Sequence, residues 1–164
     1  MKRVHDFTWF AVRWLKSYGW IVTRSDAIVV VPESSDGRIW LSLIRRAPTG
    51  QRSWELPGGA MDKGEDPVSA GLRELEEECN LVATRGAKLL PNSLEAAPGM
   101  GSIPHRVVIA LGVEPKSRAA RPQKEEGIER VRKFSREQVA RMTRAGKISV
   151  LPTLGALAVR GWIG

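Results

Sequence analysis

The amino-acid sequence predicts a mixed-sheet α/β domain with helices on its faces. Two observations carry that prediction. Short apolar runs bounded by turn residues stand beside segments with helical spacing, and the two kinds follow one another without the regular alternation of a βαβ repeat. A chain of 164 residues is also long enough for one hydrophobic core and short for two. No internal repeat is present.

The elements follow in chain order. Residues 6–18 place Phe7, Phe10, Trp14, Leu15 and Tyr18 at helical spacing with Arg13 and Lys16 on the other side, which predicts an amphipathic helix packed on its own fold or on a partner subunit. Residues 1–25 are therefore read as an N-terminal amphipathic segment and 26–164 as the main domain. The runs AIVVVP (27–32) and IWLSLI (39–44) flank Asp36-Gly37, a turn signal that predicts a β-hairpin. PTGQRS (48–53) reads as a loop, and WELPGGAMDKGED (54–66) as an extended segment feeding a helix with Pro67 in its first turn. That helix is expected over about 66–79, closed by Asn80, a residue tolerated in the left-handed conformation. LVATRGAKLL (81–90) reads as strand, EAAPGMGSIPH (95–105) as loop and RVVIALGV (106–113) as strand. The charged stretch 117–127 is read as a mobile loop, and IERVRKF (128–134) alternates as a strand does. Ser135 and Gln138 fit a capping box for a helix ending near Gly146, and Pro152 opens a last helix toward Trp162.

Composition narrows the class. With 42% hydrophobic and 27% charged residues the chain resembles a soluble globular protein. No run reaches the roughly 18 apolar residues of a membrane span, and Asp6, Arg13 and Lys16 interrupt any signal-peptide core. A cytoplasmic protein without membrane contact is expected. The single cysteine, Cys79, excludes an internal disulfide and lies in an apolar stripe, so a buried thiol is expected. A net charge of +8 favours polyanionic partners or serves solubility alone, and sign by itself does not choose between them.

Against that positive balance, RELEEE (73–78) packs four carboxylates into five positions. On a helix Glu74, Glu77 and Glu78 stand at i, i+3 and i+4 and meet on one face, while Val68, Leu72, Leu75 and Cys79 are expected to face the core and send the glutamates outward. Their repulsion, a few tenths of a kcal/mol per pair, is offset by a cation. Arg73 neutralises one charge, and hard Mg²⁺ or Mn²⁺ prefers oxygen ligands of this kind. A solvated acidic face is the competing reading, and Glu76 is expected to be such a residue. Gly58-Gly59 allows a close backbone approach to a ligand, and Glu65 at the helix start is placed to pair with Arg73.

Gly59, five residues, Glu65, seven residues and then Arg73-Glu74-Leu75-Glu76-Glu77-Glu78-Cys79-Asn80-Leu81 resembles the Nudix box, with seven of its eight specified positions present between Gly59 and Asn80. Asn80 replaces the last glycine. The resemblance implies a Nudix-type α/β/α sandwich with a mixed β-sheet, and hydrolysis of a nucleoside diphosphate linked to another group X. It implies Glu74, Glu77, Glu78 and the Gly58 carbonyl as metal ligands. Glu65 and Arg73 would brace the loop and helix. WELPGG (54–59), APGM (97–100) and the stretch 125–157 are similar to ADP-ribose and nucleoside-diphosphate-sugar pyrophosphatases, many of them homodimers. Members of that group often take a catalytic base from a downstream glutamate, for which Glu125, Glu126 and Glu129 are candidates and Glu126 is preferred. The glutamate usual after Pro-Gly in that group is missing, so His105 or Arg106 could meet a phosphate there. Trp20, Trp40 and Trp54 are candidate platforms for the base. Triphosphates or RNA 5′ ends as substrates, and a nucleotide sensor without turnover, are the competing readings.

Overall fold

The computed structural model describes residues 2–6, 10–16, 19–24, 26–96, 98–99, 101–102, 104–117, 120 and 126–164. Its centre is β4 (Ala27–Glu33), apolar without a break from Ala27 to Pro32. Such a run suits a strand covered on both faces. Its neighbour β10 (Pro104–Leu111) runs parallel to it, pairing Val107 with Val29 and Ile109 with Val31. On the far side of β10 lies antiparallel β8 (Ala87–Glu95). On the other flank come β5 (Ile39–Arg45) and the edge strand β12 (Ile128–Phe134), so the order is β12-β5-β4-β10-β8 and the sheet is mixed.

Period-two alternation sends Ile28, Val30, Val108 and Ala110 to one face, where α1 (Pro67–Cys79) covers them with Ala70, Leu75 and Cys79. Val29, Val31, Ile39, Leu41 and Val107 go to the other face, under α2 (Arg136–Arg144) and α3 (Leu151–Val159). The result is the α/β/α sandwich expected from the sequence. Gly71 sets the spacing on the first face, since a Cβ there would meet Val108 at 3.2 Å.

The hairpin turn forms as expected, with Ser34 N–H donating to the Arg38 carbonyl at 2.8 Å. Its strands, however, share one register pair, Glu33 with Ile39, and then diverge. The segment after β6 (Arg52–Glu55) fills the gap: Val30 N–H donates to the Pro57 carbonyl at 2.9 Å and Ile28 N–H to the Gly59 carbonyl at 2.8 Å. This wedge carries Gly58 and Gly59 to the end of the sheet.

The N-terminal helix is not found. Phe10, Trp14 and Leu15 lie in β2 (Phe10–Leu15), which pairs antiparallel with β1 (Lys2–Asp6) and β3 (Gly19–Arg24). Phe7 and Tyr18 fall outside the described residues. Phe10, Val12 and Trp14 also satisfy a period of two, and aromatic and β-branched residues favour the strand once partners are available. Two other readings change in detail. Residues 81–90 are split into β7 (Leu81–Ala83) and β8 by a turn ending at Gly86, whose φ is 81°. The expected loop 95–105 holds β9 (Gly101–Ser102), which pairs parallel with β3, while Ala97 and Met100 lie outside the described residues. Val113–Pro115 forms β11, paired with β7. Among the described residues no helix is long and apolar enough to cross a membrane.

Candidate active site

The site grows from α1. Asp66 caps its start by accepting from Ser69 N–H at 2.9 Å, and Pro67 occupies the first turn. Asn80 closes it in the left-handed conformation, φ 54° and ψ 43°. Asparagine therefore supplies the helix end where the box pattern has glycine.

The glutamates of α1 do not point outward as expected. Glu74 and Glu78 are buried, 8% and 4% exposed, and of the three expected metal ligands on the helix only Glu77 faces solvent. The buried stripe of the helix is Ala70, Gly71, Leu75 and Cys79 joined by these two carboxylates, whereas Val68 and Leu72 are only half-buried. The cause is the wedge at the sheet end, which packs directly on the acidic turn. Gly58 N–H donates to Glu78 Oε2 at 3.0 Å. A Cβ on Gly58 would lie 2.0 Å from the Ile28 carbonyl oxygen, and one on Gly59 within 2.7 Å of both Glu74 carboxylate oxygens. Gly58 admits no other residue without moving the backbone, and at Gly59 a side chain would have to displace the Glu74 carboxylate.

Arg73 holds the two halves together. Its Nε and Nη2 meet Glu65 at 3.0 and 3.1 Å, Nη1 donates to Glu74 at 2.8 Å and Glu77 at 3.0 Å, and Nη2 reaches the Ala60 carbonyl at 3.3 Å. The pairing of Glu65 with Arg73 expected from the sequence is present. The guanidinium lowers the Glu65 pKa, aided by Asp62 N–H. Glu74 is raised, by burial first, with Arg73 opposing. Burial likewise pushes Glu78 up to about 8, opposed by the Gly58 amide and reinforced by Glu74 and Glu126. Glu76 lies on the outer side of α1, paired with Lys116 rather than merely solvated.

These groups line a cleft of about 870 Å³ at the end of the central strands, within the size range of small-molecule sites. Glu126 lies in it with Glu74, Glu77 and Glu78, and His105 stands on its rim. Arg106, beside Ile28 on the α1 face of the sheet, does not line the cleft, and Glu129 is tied to Arg52 at 2.9 Å, outside it. Glu125 is outside the described residues. Trp40 and Trp54 are not platforms: Trp40 is buried under α1 with Nε1 donating to the Val113 carbonyl at 3.2 Å, and Trp54 stands edge-on to Phe134 at 4.7 Å. Nothing is described of the Trp20 side chain. Among the described lining residues none is aromatic apart from His105.

Sequence reasoning missed Arg46, Lys63 and Thr153. Arg46 clasps Glu55, which is 2% exposed, at 3.3 and 2.5 Å, and its charge is felt by Glu78 and Glu126. A lone acid between Trp54 and Leu56, just ahead of Pro57, is a signal that a cation partner is needed. Thr153 Oγ1 accepts from Leu56 N–H at 3.1 Å and anchors the start of α3 against the cleft. Nothing in the local sequence marks it.

The metal ligands expected from the sequence are brought to one cleft, but no preformed cage exists. Among the described residues no three His, Cys, Asp or Glu side chains converge closely enough to hold an ion. Arg73 Nη1 lies between Glu74 and Glu77 instead.

With this geometry in view, comparison with known proteins is decisive on one point. A NUDIX domain model matches residues 23–154. The chain belongs to the Nudix family. It is 37% identical over 101 residues to an ADP-ribose pyrophosphatase of Mycobacterium tuberculosis, covering 58% of this chain and 48% of that protein. It is 29% identical over 141 residues to the CMP-5'-(N-acetyl-N-hydroxy-3-aminopropyl)phosphonate hydrolase of Streptomyces rubellomurinus, covering 85% and 66%. The chain thus spans between 48% and 66% of the length of these Nudix relatives. A solved structure described as an ADP compounds hydrolase superposes with a TM-score of 0.73 at 21% identity, covering 98% of this chain and 90% of the other. That likeness establishes the Nudix fold.

Proposed function

We propose that this Nudix protein hydrolyses the pyrophosphate bond of a nucleoside diphosphate linked to X, with ADP-ribose or a related nucleotide sugar as substrate. The products would be a nucleoside monophosphate and a sugar phosphate. One observation carries the reading: the glycine wedge, the buried carboxylates of α1 and the downstream Glu126 all line a single cleft that also holds cations. The ADP-ribose pyrophosphatase likeness supports the choice of substrate.

The donor set fits a hard divalent ion, Mg²⁺ or Mn²⁺. Glu78 has one carboxylate oxygen on the Gly58 amide and feels Arg46 only at longer range, and Glu74 and Glu77 already share a cation in Arg73. Glu74, Glu77, Glu78 and the Gly58 carbonyl would hold the ion. When bound, it supplies neutralisation of the diphosphate and a more acidic water. Glu126 accepts the proton as the water oxygen attacks phosphorus and the bond from phosphorus to the bridging oxygen breaks. Arg46 and Lys63 line the cleft as partners for phosphate oxygens. Arg73 and Glu65 act as positioning residues, keeping the wedge on the helix. Exposed Trp14 and Leu15 on β2 support a homodimer.

The test is a substrate panel with Mg²⁺ and Mn²⁺. Release of AMP and ribose 5-phosphate from ADP-ribose is expected. Loss of terminal phosphates from triphosphates or RNA instead, or tight binding without products, would replace this reading with another. Glu77→Gln and Glu78→Gln are each expected to lower kcat by on the order of 100-fold with the fold intact. Near-normal turnover in both would show that the roles are wrongly assigned.

A further inference from the structure

Glu126 enters the cleft directly ahead of β12, and the three residues after it are unusual. Gly127 adopts the left-handed region, φ 78°, and its carbonyl accepts from Arg45 N–H at 2.9 Å. A Cβ at 127 would lie 2.5 Å from the Arg45 carbonyl oxygen, a backbone atom of β5 that cannot turn aside as a side chain can. Glycine is thus demanded twice, by the sign of φ and by the close approach. Ile128 is 1% exposed and opens β12 opposite Ile44. The register then slips: Ile128 pairs with Ile44 and Arg130 with Leu43, so Glu129 is one residue too many for its partner strand. The extra residue makes a β-bulge, a device that re-aims side chains beside functional sites.

The bulged residue is itself anchored. Both Glu129 carboxylate oxygens accept from Arg52 Nε, at 2.9 and 3.0 Å. Arg52 opens β6 and pairs with Arg45, so this ion pair reaches across β5 and joins the start of β12 to the strand that runs on into Gly58 and Gly59. Arg46, the next residue of the chain after β5, lines the cleft with Glu126 and clasps Glu55 at the end of β6. Glu126 and the glycine wedge are therefore both referenced to Arg45 and Arg46, the first through the Gly127 carbonyl and the second through the β5–β6 ladder. An ion pair as exposed as Arg52 with Glu129, 56% and 33% at the side chains, contributes little to stability. Its place between two parts of the site gives it another use.

We infer that Gly127, Glu129 and Arg52 are positioning residues that hold the Glu126 carboxylate in the cleft it shares with Glu74, Glu77 and Glu78. For the chemistry of Glu126 the inference rests on the proposed function; the placement stands on the bulge, the left-handed glycine and the ion pair. None of the three lines the cleft, so each acts through Glu126. A base works only within hydrogen-bond reach of the water it deprotonates, and a displacement of about 1 Å can lower the rate about 100-fold. A side chain at 127 has to shift the peptide that links it to Glu126, because the Arg45 backbone is held in the sheet. Loss of the Glu129 anchor loosens the bulge and leaves the Gly127 bond in place, so its effect is smaller. Were these features only the beginning of an edge strand, their loss would lower stability and leave the turnover of folded protein unchanged.

The experiment is steady-state turnover of ADP-ribose with Mg²⁺ by the full chain carrying Gly127→Ala, Glu129→Gln or Arg52→Gln, each alone and combined with Glu126→Gln, with Tm recorded throughout. Gly127→Ala is expected to lower kcat by about 10-fold or more, and Glu129→Gln and Arg52→Gln by about 3-fold, with KM within about 2-fold of wild type. In the Glu126→Gln background these losses should disappear, because no base is left to misplace. If Gly127→Ala does not fold, the two surface variants carry the test. Equal losses with and without Glu126, or a lower Tm with unchanged kcat, overturn the inference and leave Glu126 as the base. Normal turnover by Glu126→Gln overturns the assignment of the base and the inference with it. If the wild type cleaves no nucleoside diphosphate, the proposed function falls and amide hydrogen exchange decides the anchoring by itself. Faster exchange at residues 126–128 in Glu129→Gln than in wild type supports it, and unchanged exchange overturns it.

Discussion

Replacing Arg73 by methionine removes the fork but keeps most of the aliphatic volume, and the structure sets the expected cost. Five hydrogen bonds are lost, two to Glu65, one each to Glu74 and Glu77 and one to the Ala60 carbonyl. The Glu77 contact contributes little, since that side chain is 53% exposed. Glu74 and Glu65 are different, 10% and 17% exposed at the side chain, and would be left without a cation. Leaving a buried charge unpaired costs about 3–5 kcal/mol, and partial exposure of Glu65 places the sum near the lower end, about 3 kcal/mol. For a chain of this size that lowers Tm by about 6–12 °C. Arg73→Lys, which keeps the charge and loses the fork, should fall about halfway. The assay is urea or thermal unfolding in EDTA, followed by turnover with Mg²⁺, where a drop in kcat is expected as the Gly58 amide drifts from Glu78. A methionine variant within 2 °C of wild type, with normal kcat, would refute the bracing role.

Two further outcomes follow from burial. In metal-free protein Glu78 titrates near 8 in the fold against 4.5 unfolded, so the folded state holds its proton more tightly. Stability from this group is full below pH 4.5 and is lost as pH rises toward 8. Glu78→Gln, which can still accept from Gly58, should therefore stabilise the metal-free protein by about 1–3 kcal/mol at pH 7 and not at pH 4, as measured by urea denaturation at both values. An equal difference at the two pH values would contradict the burial argument. Cys79, fully buried and within 3.2 Å of the Ser42 hydroxyl, has its thiol pushed up to about 12 by burial. Ellman's reagent should label it only in denaturant, and rapid labelling of the native chain would contradict its placement.

What could be read from the sequence divides along a physical line. Signals that act within a few residues were legible: Ser135 and Gln138 form the capping box, IERVRKF spans β12, and Asn80 takes the left-handed conformation. Residues 10–15 were not legible, because six residues with Phe, Val, Trp and Leu satisfy periods of 3.6 and 2 nearly equally, and pairing with β1 and β3 decides. The same line runs through the site. The arrangement of Glu74, Glu77 and Glu78 on one helix is local, and so is the spacing of Glu65 from Arg73. The burial of Glu74 and Glu78 is not, since a hydropathy pattern assigns carboxylates to solvent. It is decided by Gly58 and Gly59, about one helix length away in sequence, which reach α1 only because Val30 and Ile28 bond Pro57 and Gly59 and hold the wedge against β4. The glycine pair announces a close approach but not its partner. Glycines flanked by an apolar strand and an acidic helix should therefore be read with that helix, since a carboxylate can be buried where a backbone amide is free to meet it.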